Sequence, residues 1–378
     1  MKKMKFVWGL ILITSFASCK KDKNKEEEVE PSILSTNIAI DIPESISHDN
    51  GTHKSAGIGE VNPIKLIERG FVNIQRSGQL SGDEVYENLR YYIRIGEGSA
   101  EIVEAIITAI NQYDINKAME LDYVSNDDGR TKHLSVVENA NFDNKNWEYK
   151  MTISDNGNKA MQVFWNNTSV DGITILSPYY IDMTNTDISY INTLYRIDYT
   201  EEDVNYDATM NVSIAGLPVV ATDTMALKSL RMFAGKKGDI IDVYGNSEHP
   251  NIILVDPTYT GGRNYAFVAR GHDVSNIGLA KVALPPSSVL TNTSILNDYS
   301  IETVLTQEIN AIGITDPTII SAFLANTVAP GYFDPTGFIS AGTAPTSPTG
   351  FSSSFNDISS LKPFVPNDVK NLVITFQD

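Results

Sequence analysis

The stretch Trp147-Glu148-Tyr149-Lys150-Met151-Thr152-Ile153-Ser154-Asp155-Asn156-Gly157-Asn158-Lys159-Ala160-Met161-Gln162-Val163-Phe164-Trp165 decides the fold. Tyr149, Met151 and Ile153 alternate with Lys150, Thr152 and Ser154, the two-residue period of a strand with one face toward a core. Asp155-Asn156-Gly157-Asn158 then supplies an Asn-Gly turn, and Lys159 to Trp165 runs back. Alternation on both sides of an Asn-Gly pair reads as a β-hairpin.

The same period continues downstream. Residues 173–183 form a further strand region, interrupted at Pro178. Tyr195, Ile197 and Tyr199 alternate with Arg196 and Asp198, and Tyr206, Ala208, Met210, Val212 and Ile214 alternate with Asp207, Thr209, Asn211 and Ser213. One apolar and one polar face, joined by short polar connections, predicts an antiparallel meander rather than parallel crossovers. More strands are expected at 227–233, 240–244, 252–255, 265–270, 277–284 and 372–376, with helices at 301–312 and 317–325. The second of these helices is entered through Thr315-Asp316-Pro317, with proline in a first-turn position. Between 329 and 367, Gly, Pro, Ser and Thr are interleaved with phenylalanines, which reads as a long irregular segment packed over the body.

Upstream, the period is helical. Ser81-Gly82-Asp83-Glu84 is a capping-box pattern, followed at helical spacing by Val85, Leu89, Tyr92 and Ile93. Gly96-Glu97-Gly98-Ser99 reads as a break, and Ile102, Val103, Ile106, Ile107, Ile110 and Tyr113 form the apolar stripe of a second helix. The expected fold is therefore α+β: an N-terminal helical hairpin, then a large antiparallel β-meander, as a curved sheet or half-barrel, with additional C-terminal helices. Its architecture is loosely similar to that of half-barrel lipoproteins that hold apolar cargo.

The start of the chain has a different character. Met1 to Lys5 is basic, Phe6 to Ile13 is apolar, and small residues lead to Cys19, the three-part layout of a secretory signal. Phe16-Ala17-Ser18-Cys19 resembles the lipobox of bacterial lipoproteins, although Phe16 stands where leucine is usual. The resemblance implies cleavage before Cys19 and acylation of that residue, a palmitate-type anchor that attaches the protein to a membrane without threading through it. The tract Lys20-Lys21-Asp22-Lys23-Asn24-Lys25-Glu26-Glu27-Glu28 is similar to the charged tethers of surface lipoproteins in Bacteroidetes-type bacteria. That similarity implies an outer-membrane, cell-surface location, with the periplasmic face as the alternative. Residues 1–18 are then a signal peptide, 19–60 the lipidated cysteine and a linker, and 61–378 one globular domain with a candidate subdivision near 220–235.

Composition narrows the partners. A formal charge of −18 over 378 residues excludes nucleic acid, which requires a basic footprint. With Cys19 the only cysteine, neither an internal disulfide nor a multi-thiolate metal site can form. There is no Gly-x-Ser-x-Gly elbow and no His-Glu-x-x-His, and the acidic loops 126–129, 155–158 and 201–203 lack the calcium-loop pattern. His48 and His53 fall in the linker, His249-Pro250 reads as a loop, and His272 ends a strand in Arg270-Gly271-His272-Asp273. Asp223-Thr224-Met225 resembles the short O-glycosylation acceptor of exported proteins in Bacteroidetes-type bacteria.

No catalytic constellation, cofactor or metal is expected. Trp165, Tyr179, Tyr180, Tyr195, Tyr199 and His272 are the candidate ligand-binding residues, for a glycan or an apolar ligand. The meander aromatics, with Trp147 and Tyr149, have a plainer reading as cross-strand packing. The expected function is a non-catalytic binding or adhesion component of the cell envelope. A secreted hydrolase of polysaccharide or peptide, and a structural subunit of an envelope complex, are the alternatives.

Overall fold

A computed structural model describes residues 42–47, 82–167, 169–201 and 203–378. The lipobox, Cys19, the charged tether, His48, His53 and the boundary near 61 lie outside the described residues. Among those described, thirteen strands form one antiparallel sheet in which every strand pairs with its sequence neighbours. They are β1 (Met119–Val124), β2 (Thr131–Phe142), β3 (Lys145–Asp155), β4 (Asn158–Trp165), β5 (Asp171–Leu176), β6 (Leu194–Thr200) and β7 (Ala208–Ala215). The second half comprises β8 (Ser229–Lys237), β9 (Ile240–His249), β10 (Arg263–His272), β11 (Ile277–Ala283), β12 (Gly331–Asp334) and β13 (Gly337–Ala341). The helices are α1 (Glu44–Ser47), α2 (Gly82–Gln112), α3 (Pro178–Ile181), α4 (Ile295–Asp298), α5 (Ile301–Ala311), α6 (Pro317–Phe323), α7 (Ser353–Asn356) and α8 (Pro366–Lys370).

The deciding hairpin forms as read. Asp155 faces Asn158 across the turn, and Asn156 and Gly157 take φ of +47° and +83°. Asparagine and glycine tolerate that region best, and it matches the twist of the flanking strands. In β6 the expected alternation holds, with Tyr195, Ile197 and Tyr199 buried. The sheet crosses 220–235 without a break, β7 pairing with β8.

The helical hairpin is corrected: residues 82–112 form a single helix of 31 residues that runs through Gly96-Glu97-Gly98-Ser99. At 1.5 Å per residue it is about 46 Å long. Gly96 serves packing instead of a turn, since a Cβ there would collide with the Cε of Met232 on β8. Ser99 donates from Oγ to the Ile95 carbonyl at 2.7 Å, a bond made inside a helix and not at its end. Strands β1 and β2 extend the meander upstream of Trp147. In β2 only Leu134, Val136 and Ala140 among the apolar positions are buried, and the Glu138-Asn139-Ala140-Asn141 stretch dilutes the alternation.

Helix α2 packs against one face of the sheet. Its first half packs on β10 to β13: Tyr86 meets Phe333 edge-on at 5.1 Å, and Tyr92 stacks on Phe267 at 5.7 Å. Tyr265 donates to the Val85 carbonyl at 2.8 Å, and Tyr86 to the Ala280 carbonyl at 3.2 Å. Residues 42–47, inside the stretch read as linker, are packed as well. Ile42 and Ile46 are buried, and a Cβ on Gly278 would strike Ile46.

The opposite face is covered by the end of the chain. Ser229 Oγ donates to the Val369 carbonyl at 2.6 Å, and the Arg231 guanidinium lies 4.2 Å from the Phe364 ring centre. Ile374 and Phe376 cover Trp147, Phe164, Ile173 and Ile175. Gln377 N–H donates to Gln162 Oε1 at 2.7 Å and the Gln162 amide returns a bond to the Gln377 carbonyl at 2.9 Å. The expected strand at 372–376 does not form: Leu372 N–H turns back to the Val369 carbonyl, and it is Gln377, just beyond, that the Gln162 side chain holds. Residues 252–255 likewise form no strand.

Candidate functional site

The second half of α2 leaves space. Val103, Ile106, Ile107 and Ile110 recur at i, i+3, i+4 and i+7 and present one aliphatic face. Opposite lie two cross-strand rows on β4, β5 and β6. Val163 pairs with Thr174, which pairs with Ile197, and Trp165 pairs with Gly172, which pairs with Tyr199. Between helix and sheet runs a narrow crevice of ≈ 30 Å³, partly open to solvent. Gly172 lies in its wall between an indole and a phenol, and a Cβ there would come within 3.0 Å of the Phe164 carbonyl oxygen, so the glycine permits a close strand approach.

The polar ends of the two aromatics are fixed at the mouth. Trp165 donates from Nε1 to Asn167 Oδ1 at 3.2 Å, and Tyr199 donates to Glu201 Oε1 at 2.8 Å. Tyr149 stacks on Trp165 with centroids 5.2 Å apart. Asp171, which also lines the crevice, pairs with Lys145. Chemically the crevice offers aliphatic and aromatic surface with a polar rim, an arrangement suited to an apolar ligand carrying one polar end.

Of the residues singled out from sequence, Trp165 and Tyr199 come together here, one on each side of Gly172. Tyr195 and the Tyr179–Tyr180 pair belong to the opposite end of β4 to β6, since Leu176, the residue paired with Tyr195, leads into α3. Tyr195 is fully buried, and burial holds its hydroxyl well above the ordinary phenol range. Trp147 belongs to the cluster under Ile374 and Phe376. His272 stands apart at the end of β10, its Nδ1 accepting from Ser275 N–H at 3.3 Å. Gly172 and the aliphatic face of α2 were not singled out. The only signal for Gly172 is a glycine inside a strand pattern, which marks close approach or a missing side chain.

The remaining polar clusters are structural. His249 was read as a loop residue but ends β9 in the core, fully buried. Its Nδ1 faces the Met225 carbonyl at 3.3 Å and so carries the proton. Its Nε2, with one lone pair, lies 2.8 Å from the Ser247 hydroxyl and 3.0 Å from the Tyr92 hydroxyl, which also bond to each other. Burial lowers its pKa to about 4. A Ser-His pair so enclosed, with a carbonyl where a carboxylate would stand, admits no substrate. Beside it, Glu248 accepts from Asn264 and Ser287, both at 2.6 Å, and Arg263 reaches Glu308 at 2.8 Å.

At the other end, buried Lys132 donates to Asp155 at 2.6 Å, Asp128 at 2.8 Å and the Tyr180 carbonyl at 2.9 Å. Arg130 grips Asp155 with two bonds of 2.7 Å, and its guanidinium leads in holding that carboxyl down to about 2. Burial raises the Asp127 carboxyl to about 6, with Asp182 and Asp128 adding repulsion. Lys132 has three donors and spends all three inside this network. The acidic loops are turns: Asp203 Oδ1 accepts from Asn205 N–H at 2.7 Å, and Asp223 Oδ1 from Met225 N–H at 2.8 Å. Among the described residues, no three His, Cys, Asp or Glu side chains are placed to hold a metal, and no helix is long and apolar enough to cross a membrane.

No protein-family model, curated protein or solved structure matches the chain.

Proposed function

We propose that the protein is an exported envelope lipoprotein, anchored by acyl groups on Cys19, whose folded part is a non-catalytic binding component that takes an apolar chain into the crevice between α2 and β4 to β6. The crevice itself carries this reading: Val103, Ile106, Ile107 and Ile110 line it together with Val163, Trp165, Gly172 and Tyr199. An apolar ligand is favoured over a glycan because Trp165 and Tyr199 are each only 3% exposed. Stacking on a sugar needs an open ring face, whereas a chain can slide along a covered one.

Each methylene moved from water into the crevice should add about 0.8 kcal/mol, or roughly fourfold in affinity. Calorimetric titration of the full chain carrying Cys19→Ser, in detergent-free buffer, with octyl, decyl and dodecyl maltoside below their micelle concentrations measures this directly. Affinity is expected to climb with chain length in the unsubstituted crevice and to vanish in Ile106→Trp, whose indole fills the space. Flat heats for all three maltosides would end the reading. For the anchor, intact mass of the mature protein should exceed that of the Cys19-initiated polypeptide by the mass of its acyl groups. A free thiol at Cys19 would remove the anchor.

A further inference from the structure

Resting on the crevice as the binding site, the geometry points to the chemical class of its occupant: a single-chain amphiphile with a cationic, ammonium-type head group. The aliphatic face of α2 takes the chain, and the groups around the mouth select the head. One carboxylate lines the crevice, and two more are hydrogen-bonded to Tyr199 and to Asn167, the residue that holds Trp165. The first is Asp171; Glu201 accepts from the Tyr199 hydroxyl at 2.8 Å, and Glu148 accepts from Asn167 N–H at 2.9 Å. The cation paired at this end is Lys145, which lies on Asp171 and 4.4 Å from the Trp147 ring centre.

The helix contributes the same sign. Ile110, the last crevice residue of α2, sits in the final turn of the 31-residue helix, and that turn contains no basic residue. The carbonyl end of the helix dipole is therefore not offset by a side chain of its own last turn. The Tyr149 hydroxyl, stacked beside Trp165, is pushed above its ordinary value by burial, then by Glu138 and Glu148, so a phenol at the mouth already senses the negative field. An anionic head group would be repelled here. An ammonium is attracted by the carboxylates.

The test is a calorimetric comparison on the full chain carrying Cys19→Ser, with dodecyltrimethylammonium, dodecyl maltoside and dodecanoate below their micelle concentrations. The ammonium is expected to bind at least about tenfold more tightly than dodecanoate at low salt, with the maltoside between them and the ratio shrinking in 0.3 M salt. Because the chain as a whole is acidic, Ile106→Trp is the control for surface attraction and should abolish the ammonium signal. Glu148→Gln with Glu201→Gln should bring the ammonium-to-dodecanoate ratio close to one, a ratio in which any affinity lost for both ligands by releasing Tyr199 and Asn167 cancels. If maltoside binds but dodecanoate binds as tightly as the ammonium, or the double substitution leaves the ratio intact, the head-group assignment is wrong while the crevice stands. If no amphiphile binds, the crevice reading falls and the assignment falls with it.

Discussion

The two halves of α2 rest in the same sheet and meet it differently. The first half is aromatic, and so are its partners: Tyr86, Tyr91 and Tyr92 interlock with Tyr265, Phe267 and Phe333. The hydroxyls of Tyr86, Tyr92 and Tyr265 have found acceptors in Ala280, His249 and Val85. The second half is aliphatic, and its partners include a glycine at the centre of an aromatic row. One half seals its contact with the sheet with rings, and the other leaves its contact partly unfilled. The difference lies in side-chain volume, because the backbone of the helix is continuous across both.

The contrast can be broken most forcefully in the sealed half. Tyr92→Ala should cost about 3–5 kcal/mol by chemical denaturation, the range for removing a ring from a packed core. An effect under 1 kcal/mol would show that the rings there are loosely held. Removing residues 372–378, which uncovers Trp147 and Phe164 on the far face, is expected to cost about 2–3 kcal/mol and to increase binding of a hydrophobic dye. Unchanged dye binding would mean that Ile374 and Phe376 are not covering that cluster in solution.

His249 gives the sealed half a signature in pH. Its folded pKa of about 4 lies below the value near 6.5 expected when unfolded. Above 6.5 the ring is neutral in both states and contributes nothing to the pH dependence. Below 6.5 the unfolded chain takes up the proton first, so stability falls until the folded pKa is reached. Between pH 7.5 and 5 this amounts to about 2 kcal/mol. His249→Gln should remove that share of the acid sensitivity, and equal slopes for the two proteins would contradict the burial of the ring.

The smallest effect belongs to the open half, where Ile106→Ala should cost about 1 kcal/mol or less, since the partly exposed side chain faces existing space. A loss as large as that of Tyr92→Ala would mean the crevice is closed in solution.

The sheet was legible wherever alternation was clean. Tyr149 to Ile153 and Tyr195 to Tyr199 carry their period openly, and Asn156-Gly157 marks its turn. Legibility failed where one residue type has two uses. Gly96 looks like a helix break, but it admits Met232. Leu372 to Phe376 alternates like a strand, yet it joins no ladder and packs Ile374 and Phe376 on the cluster around Trp147 and Phe164. Within the site, Trp165 and Tyr199 stood out as aromatics on strands, whereas Tyr195 showed the same pattern and turned out to be core. Which end of a strand faces open space is set by what crosses it, and the crossing element was a helix that the sequence divided in two. Gly172 could acquire meaning only once its neighbours in the register were known.

The most direct measurement is a crystal structure of the full chain grown with a dodecyl amphiphile. The expected result is continuous density for the chain between Ile107 and Trp165, with the head group beside Glu201. A crevice closed on itself, with the amphiphile elsewhere on the surface, would contradict the binding function.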